Sequence, residues 1–130
     1  VKGLQDGTID VIVSSHTPHD EEAKKLEFDL ADFGIISLQT VAANIAQLSE
    51  KVDIEVLIDK LTTAPRALLG LEQPKIEEGE MANLTLFAPE LEWTFDATTN
   101  KSKSIFSPYF GKKLTGKAVA VFNKGQVFLS

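Results

Sequence analysis

Residues 9–14 read Ile-Asp-Val-Ile-Val-Ser, a short and nearly continuous run of β-branched apolar positions. That is the pattern of a strand buried on both faces, as in parallel sheets. Asp6-Gly7 turns the chain into it. Over residues 15–34 the pattern becomes polar and then acidic, and Pro18 blocks a regular helix. A long loop is expected there, with a helical turn near residues 21–26. Leu38, Val41, Ile45 and Leu48 then recur at spacings of three, four and three, which puts them on one stripe of a helix, with Ala42 beside it. Ser37 can cap that helix, and it should end near Glu50. Asp53 is a good cap for a second helix over residues 54–61, with Val56, Leu57 and Leu61 facing inward. Thr63, Pro65 just inside and Gly70 just past the end frame a third, over residues 64–69.

After Gly70 the texture changes. Pro74, Gly79, Pro89, Pro108, Gly111, Gly116 and Gly125 punctuate short runs that alternate or are β-branched, so the second half is a β-module. One strand is expected around residues 84–87 and another over 92–95. Residues 118–122 should pair with 126–129 across Asn123-Lys124-Gly125, a hairpin turn. There is no internal repeat and no low-complexity segment. A parallel-type strand at 9–14 has no neighbours among residues 1–70 to take up its ladder, and an unpaired buried ladder is costly. Its partners are expected upstream, in residues outside the 130 of this chain; a start at Val1, with Met81 the only methionine, points the same way.

Composition narrows the function classes. A hydrophobic share of 43% and a charged share of 25% describe a globular protein. A net charge of −6 argues against general binding to nucleic acid or to an anionic membrane, since both need a cationic face. The basic cluster of Lys101, Lys103, Lys112 and Lys113 reads as a solvated loop. Without cysteine, disulfides and thiolate zinc sites are excluded. No apolar run approaches the roughly 20 residues of a membrane span, and a cytoplasmic location is expected.

The candidate chemistry lies in Ser14-Ser15-His16-Thr17-Pro18-His19-Asp20, because a loop leaving the C-terminal end of a parallel strand lines the ligand crevice of α/β proteins. His16 and His19 could ligate a metal through neutral imidazole, with Asp20 or Glu21 adding oxygen. Their spacing across a proline matches no metal motif, and a His-Glu-x-x-His pattern is absent. They could instead be loop residues bonded to the backbone, or one could bind an anionic substrate. A nucleophilic Ser14 or Ser15 lacks a glycine elbow and an oriented base.

The stretch from Asp6 to His19, DGTIDVIVSSHTPH, resembles the dihydroorotases of the amidohydrolase superfamily, which carry Asp-His-Ala-Pro-His in this place. The resemblance continues through Phe33-Gly34 after an acidic loop, Thr62-Thr63-Ala64-Pro65 where the family tends to have Thr-x-Asn-Pro, and Lys75-Ile76-Glu77-Glu78-Gly79-Glu80-Met81-Ala82-Asn83-Leu84. It extends through Ser102-Lys103-Ser104, Ser107-Pro108-Tyr109-Phe110-Gly111 and Leu114-Thr115-Gly116, in the family's order and over essentially the whole chain.

This resemblance implies an α/β fold: the C-terminal fragment of a (β/α)8 TIM barrel, with its last strand and closing helices, plus the C-terminal part of a small β-sandwich. Residues 9–14 would be the eighth barrel strand and residues 35–70 the closing helices. The division would be 1–72 for the end of the barrel and 73–130 for the sandwich portion. Family members reversibly hydrolyse the cyclic amide of dihydroorotate to carbamoyl aspartate in pyrimidine biosynthesis, using zinc held by histidines, a carboxylated lysine and an aspartate. The His-x-His pair and the lysine belong to earlier strands, so no metal ligand and no zinc are expected of this chain alone. Ser15 stands where the family has its aspartate. That aspartate touches the metal and shuttles a proton, roles that need a group ionised near neutral pH, with a reference pKa of about 3.9. A serine hydroxyl cannot supply them. His19 matches the histidine that binds the substrate carboxylate, and Phe33 and Gly34 match the stretch whose backbone contacts the substrate. Two functions follow as expectations: an impaired dihydroorotase, or a non-catalytic subunit supporting aspartate carbamoyltransferase. The rest of its own barrel is the first partner either would need.

Overall fold

The computed structural model describes residues 1–130. Helices α1 (Lys2–Gln5), α2 (Glu21–Lys24), α3 (Val41–Leu48), α4 (Ile54–Leu61) and α5 (Thr63–Leu68) precede one antiparallel sheet of β1 (Leu84–Phe95), β2 (Lys112–Asn123) and β3 (Gln126–Leu129), in the order β1-β2-β3. A 3₁₀ turn, Leu38–Thr40, leads into α3.

The helices form for the reasons the pattern gives. Asp53 Oδ1 accepts from the Glu55 amide at 2.9 Å and starts α4, which carries the fully buried Leu57. Leu57 joins Leu4, Ile45 and Val52 in the core, with Val41, Leu48, Val56, Leu61 and Phe87 packed around them. Asp53→Ala is therefore expected to cost about 1 kcal/mol of stability, read as a lower denaturant midpoint of the whole protein. The stripe on α3 begins at Val41 rather than Leu38: Leu38 lies in the 3₁₀ turn and is 63% exposed. Ser37 does not cap through its side chain; its Oγ donates to the Ser14 carbonyl at 2.6 Å.

The expected strand at 9–14 does not form. Residues 9–14 carry no ladder, Val13 is 70% exposed, and the Ile12 amide donates to the Lys60 carbonyl at 2.9 Å. Two flanking strands would be required to pair it, and this chain supplies none; a single parallel bridge joins His16 to Ile35 just beyond. Neither a barrel wall nor a two-sheet sandwich is closed within these residues. The two strands expected at 84–87 and 92–95 are one strand. It passes Pro89 through a bulge in which residues 89–91 face only Gly116, since Ala88 pairs with Lys117 and Glu92 with Thr115. Proline is tolerated there because β1 is an edge strand and the bulge needs no donor. The hairpin forms as expected, its loop narrowed to Lys124-Gly125, with φ of 50° and 75°.

The helical and β portions pack on each other. At Gly116 the strand backbone lies against α3 so closely that a Cβ there would sit 2.5 Å from Ala46 Cβ. Gln39 fastens the loop after β1, donating to the Thr99 carbonyl at 2.6 Å and accepting from the Lys101 amide at 2.9 Å. At the head of that loop Thr98 donates to the Asp96 carboxylate from its hydroxyl and its amide, which holds that acid below its ordinary pKa. Phe95, fully buried, meets Trp93 and Phe110 edge-on at 5.8 and 5.7 Å. No helix is long and apolar enough to cross a membrane.

Candidate active-site rim

Residues 14–19 are pinned to residues 35–38, at the start of the 3₁₀ turn, by four hydrogen bonds. Beyond the Ser37 hydroxyl on the Ser14 carbonyl, the Thr17 amide donates to the Ile35 carbonyl at 2.9 Å, and His16 Nδ1 accepts from the amides of Ser37 and Leu38 at 3.0 and 3.2 Å. His16 thus caps the first turn with an imidazole nitrogen in place of a side-chain oxygen, and acceptance at Nδ1 assigns its proton to Nε2.

Between these anchors Ser15 is forced to φ 49°, the left-handed region, with its side chain exposed. Asp and Asn adopt that region several-fold more readily than most residues. The backbone at this position suits Asp or Asn better than the serine it carries.

The segment 19–34 folds back on itself. Asp20 Oδ1 accepts from the Ala23 amide at 2.8 Å and starts α2, and the Asp32 amide returns to the Ala23 carbonyl at 3.0 Å. His19 Nε2 donates to the Phe33 carbonyl at 2.9 Å, with Nδ1 3.6 Å from Asp32 Oδ2, an ion pair when the ring is protonated. Lys24 Nζ donates to the carbonyls of Asp32 and Gly34 at 2.6 and 3.1 Å. Glycine is required at 34: φ is 141°, and a Cβ would stand 2.8 Å from the Thr17 carbonyl and 2.9 Å from the His19 ring. The Phe33 ring is 92% exposed beside this junction.

His19, Phe33 and Gly34 are therefore brought together. Ser15 lies on the same segment, two residues before the Thr17 carbonyl that approaches Gly34. His16 and His19 do not converge, and no three His, Asp or Glu side chains gather anywhere in the chain; each histidine already directs a nitrogen at backbone groups. These residues do not by themselves fit a zinc cage. Sequence reasoning missed Lys24 and the capping role of His16. Nothing distinguishes Lys24 from Lys25 in the sequence, yet Lys25 pairs with Glu21 at 2.9 Å in solvent while Lys24 turns inward. A cavity of about 220 Å³ opens behind the rim, lined in part by His16, Gln39, Phe95 and Lys101, and it does not reach Ser15, His19, Phe33 or Gly34.

No family model matches the chain. It is 36% identical over 99% of its length to the dihydroorotase of Chlorobaculum tepidum, 39% over 96% to that of Geotalea daltonii, and 38% over 98% to that of Clostridioides difficile. It spans only 30% of the length of each of these relatives. Among solved structures its fold matches a D-hydantoinase from a Thermus species (TM-score 0.78, 24% identity) and the L-hydantoinase of Arthrobacter aurescens (TM-score 0.80, 24% identity), covering 98% of this chain and 30% of theirs. By sequence the chain matches the C-terminal part of the dihydroorotases.

Proposed function

We propose that the whole protein is dihydroorotase-like, acting in pyrimidine biosynthesis, and that its hydrolysis of dihydroorotate to carbamoyl aspartate is impaired at Ser15. In this proposal the chain is the end of a larger barrel and supplies the rim of its pocket: His19 and the backbone of Phe33 and Gly34 face the substrate. One observation carries it. The position that the family fills with an ionised carboxylate is here an exposed alcohol, on a backbone whose left-handed conformation suits Asp. A hydroxyl cannot accept a proton near neutral pH, and loss of a positioned base forfeits roughly 10² to 10⁴ in rate. The family's zinc belongs to ligands on other segments, and the donors present here do not converge on a metal.

The engagement of His19 with the Phe33 carbonyl and Asp32 favours a second reading, a catalytically silent subunit that supports aspartate carbamoyltransferase, because an imidazole tied to its own loop is less available to a substrate carboxylate. Steady-state assay of the full-length protein with dihydroorotate and with carbamoyl aspartate tests the proposal. Turnover roughly 10² to 10⁴ below that of relatives bearing the aspartate is expected; turnover equal to theirs refutes it.

A further inference from the structure

We propose that Lys24 is a positioning residue for the ligand rim: it holds the backbone of residues 32–34 so that the amides of Phe33 and Gly34 stay free to meet an anionic group. This rests on the reading of His19, Phe33 and Gly34 as that rim. The three consecutive carbonyls of Asp32, Phe33 and Gly34 are all taken up by side chains from one neighbouring segment, two by Lys24 Nζ and one by His19 Nε2. The Phe33 and Gly34 amides, by contrast, make no hydrogen bond within the chain. A peptide segment whose acceptors are all bound elsewhere and whose donors are free is biased toward anions, and a cation behind its carbonyls strengthens that bias.

The arrangement is built rather than incidental. Lys24 is half-buried, and its helix is fixed at the start by Asp20 and at the far side by the Asp32 amide, so the ammonium is delivered to the carbonyls by two independent contacts. The 2.6 Å bond to the Asp32 carbonyl is at the short end for a charged donor. Lys25, next in sequence, is exposed and paired with Glu21, which makes it the natural control.

The test uses the full-length protein with Lys24→Met, Lys24→Arg and Lys25→Met, reading hydrogen exchange over residues 32–35 and, by calorimetry, the affinity for carbamoyl aspartate. Lys24→Met is expected to speed exchange over 32–35 and to weaken binding about 10- to 100-fold, the scale of a lost charge-assisted hydrogen bond. Lys24→Arg should recover most of both, and Lys25→Met should change neither. Should Lys24→Met fail to fold, Lys24→Gln, which keeps a neutral donor, is read in the same way. Unchanged exchange and affinity in Lys24→Met would overturn the positioning role while leaving the rim intact. Wild-type protein that does not bind carbamoyl aspartate, together with faster exchange in Lys24→Met, would instead overturn the rim and with it the ligand half of the proposal.

Discussion

Gly116→Ala is expected to destabilise the protein by about 2–5 kcal/mol, combining backbone strain of about 1–3 kcal/mol with overpacking of similar size. Gly116 sits at φ +95°, where an L side chain is strained whatever the space. Space is also missing: a Cβ would stand 2.5 Å from Ala46 Cβ, 3.1 Å from the Ala42 carbonyl and 3.3 Å from Ala43 Cα. These neighbours belong to α3 and cannot rotate away as the end of a long side chain could. The same residue gives its carbonyl to Trp93 Nε1 at 3.0 Å, so a shift of this strand would also loosen the bulge at 89–91 and the aromatic pair of Trp93 and Phe95. Gly111→Ala separates the two contributions. Gly111 has φ +79°, and a Cβ there would meet nothing within 4 Å, so only strain is added. Denaturant titration of both variants should show Gly116→Ala the more damaging by at least about 1 kcal/mol; equal losses would mean that the contact of helix and strand is not tight.

The legible parts of this fold are those whose causes are local. Asp53 starts a helix because its carboxylate can reach the next amides, and Lys124-Gly125 closes a hairpin because the loop tolerates positive φ at both residues. The failures share a different cause. Residues 9–14 have the composition of a doubly buried strand, but a strand is made by its neighbours, and none of this chain's other segments can pair with it. Leu38 fits the helical spacing, yet it lies in a 3₁₀ turn whose first amides bond to His16 across the fold, and it stays outside the stripe. The candidate site divides along the same line between local and long-range causes. Likeness to a family signature picks out His19, Phe33 and Gly34, which do meet. It could not show that Lys24 and His19 consume three carbonyls, because a contact between residues 24 and 34 depends on how the loop closes rather than on spacing.

Ser15→Asp in the full-length protein is expected to raise dihydroorotate hydrolysis about 10²- to 10⁴-fold when the family's His-x-His pair and lysine are present on other segments. The substitution places a carboxylate that is ionised near neutral pH where a hydroxyl that is not now stands. It should not harm folding. The position is exposed, and its φ of 49° is one that Asp adopts more readily than Ser, so stability should hold or rise slightly. Ser15→Asn is the control that isolates charge from conformation: it shares the tolerance for the left-handed region and nearly the size of Asp, but it cannot take a proton. Asn should leave the rate at the wild-type level. A gain with Asn equal to that with Asp would mean that loop geometry, not the missing carboxylate, limits the reaction. No gain with either, in a protein whose other ligands are complete, would remove Ser15 as the cause of impairment. Where those ligands are themselves absent, Ser15→Asp should change nothing, since a base without the rest of its pocket has no reacting group to serve, and the silent-subunit reading then stands.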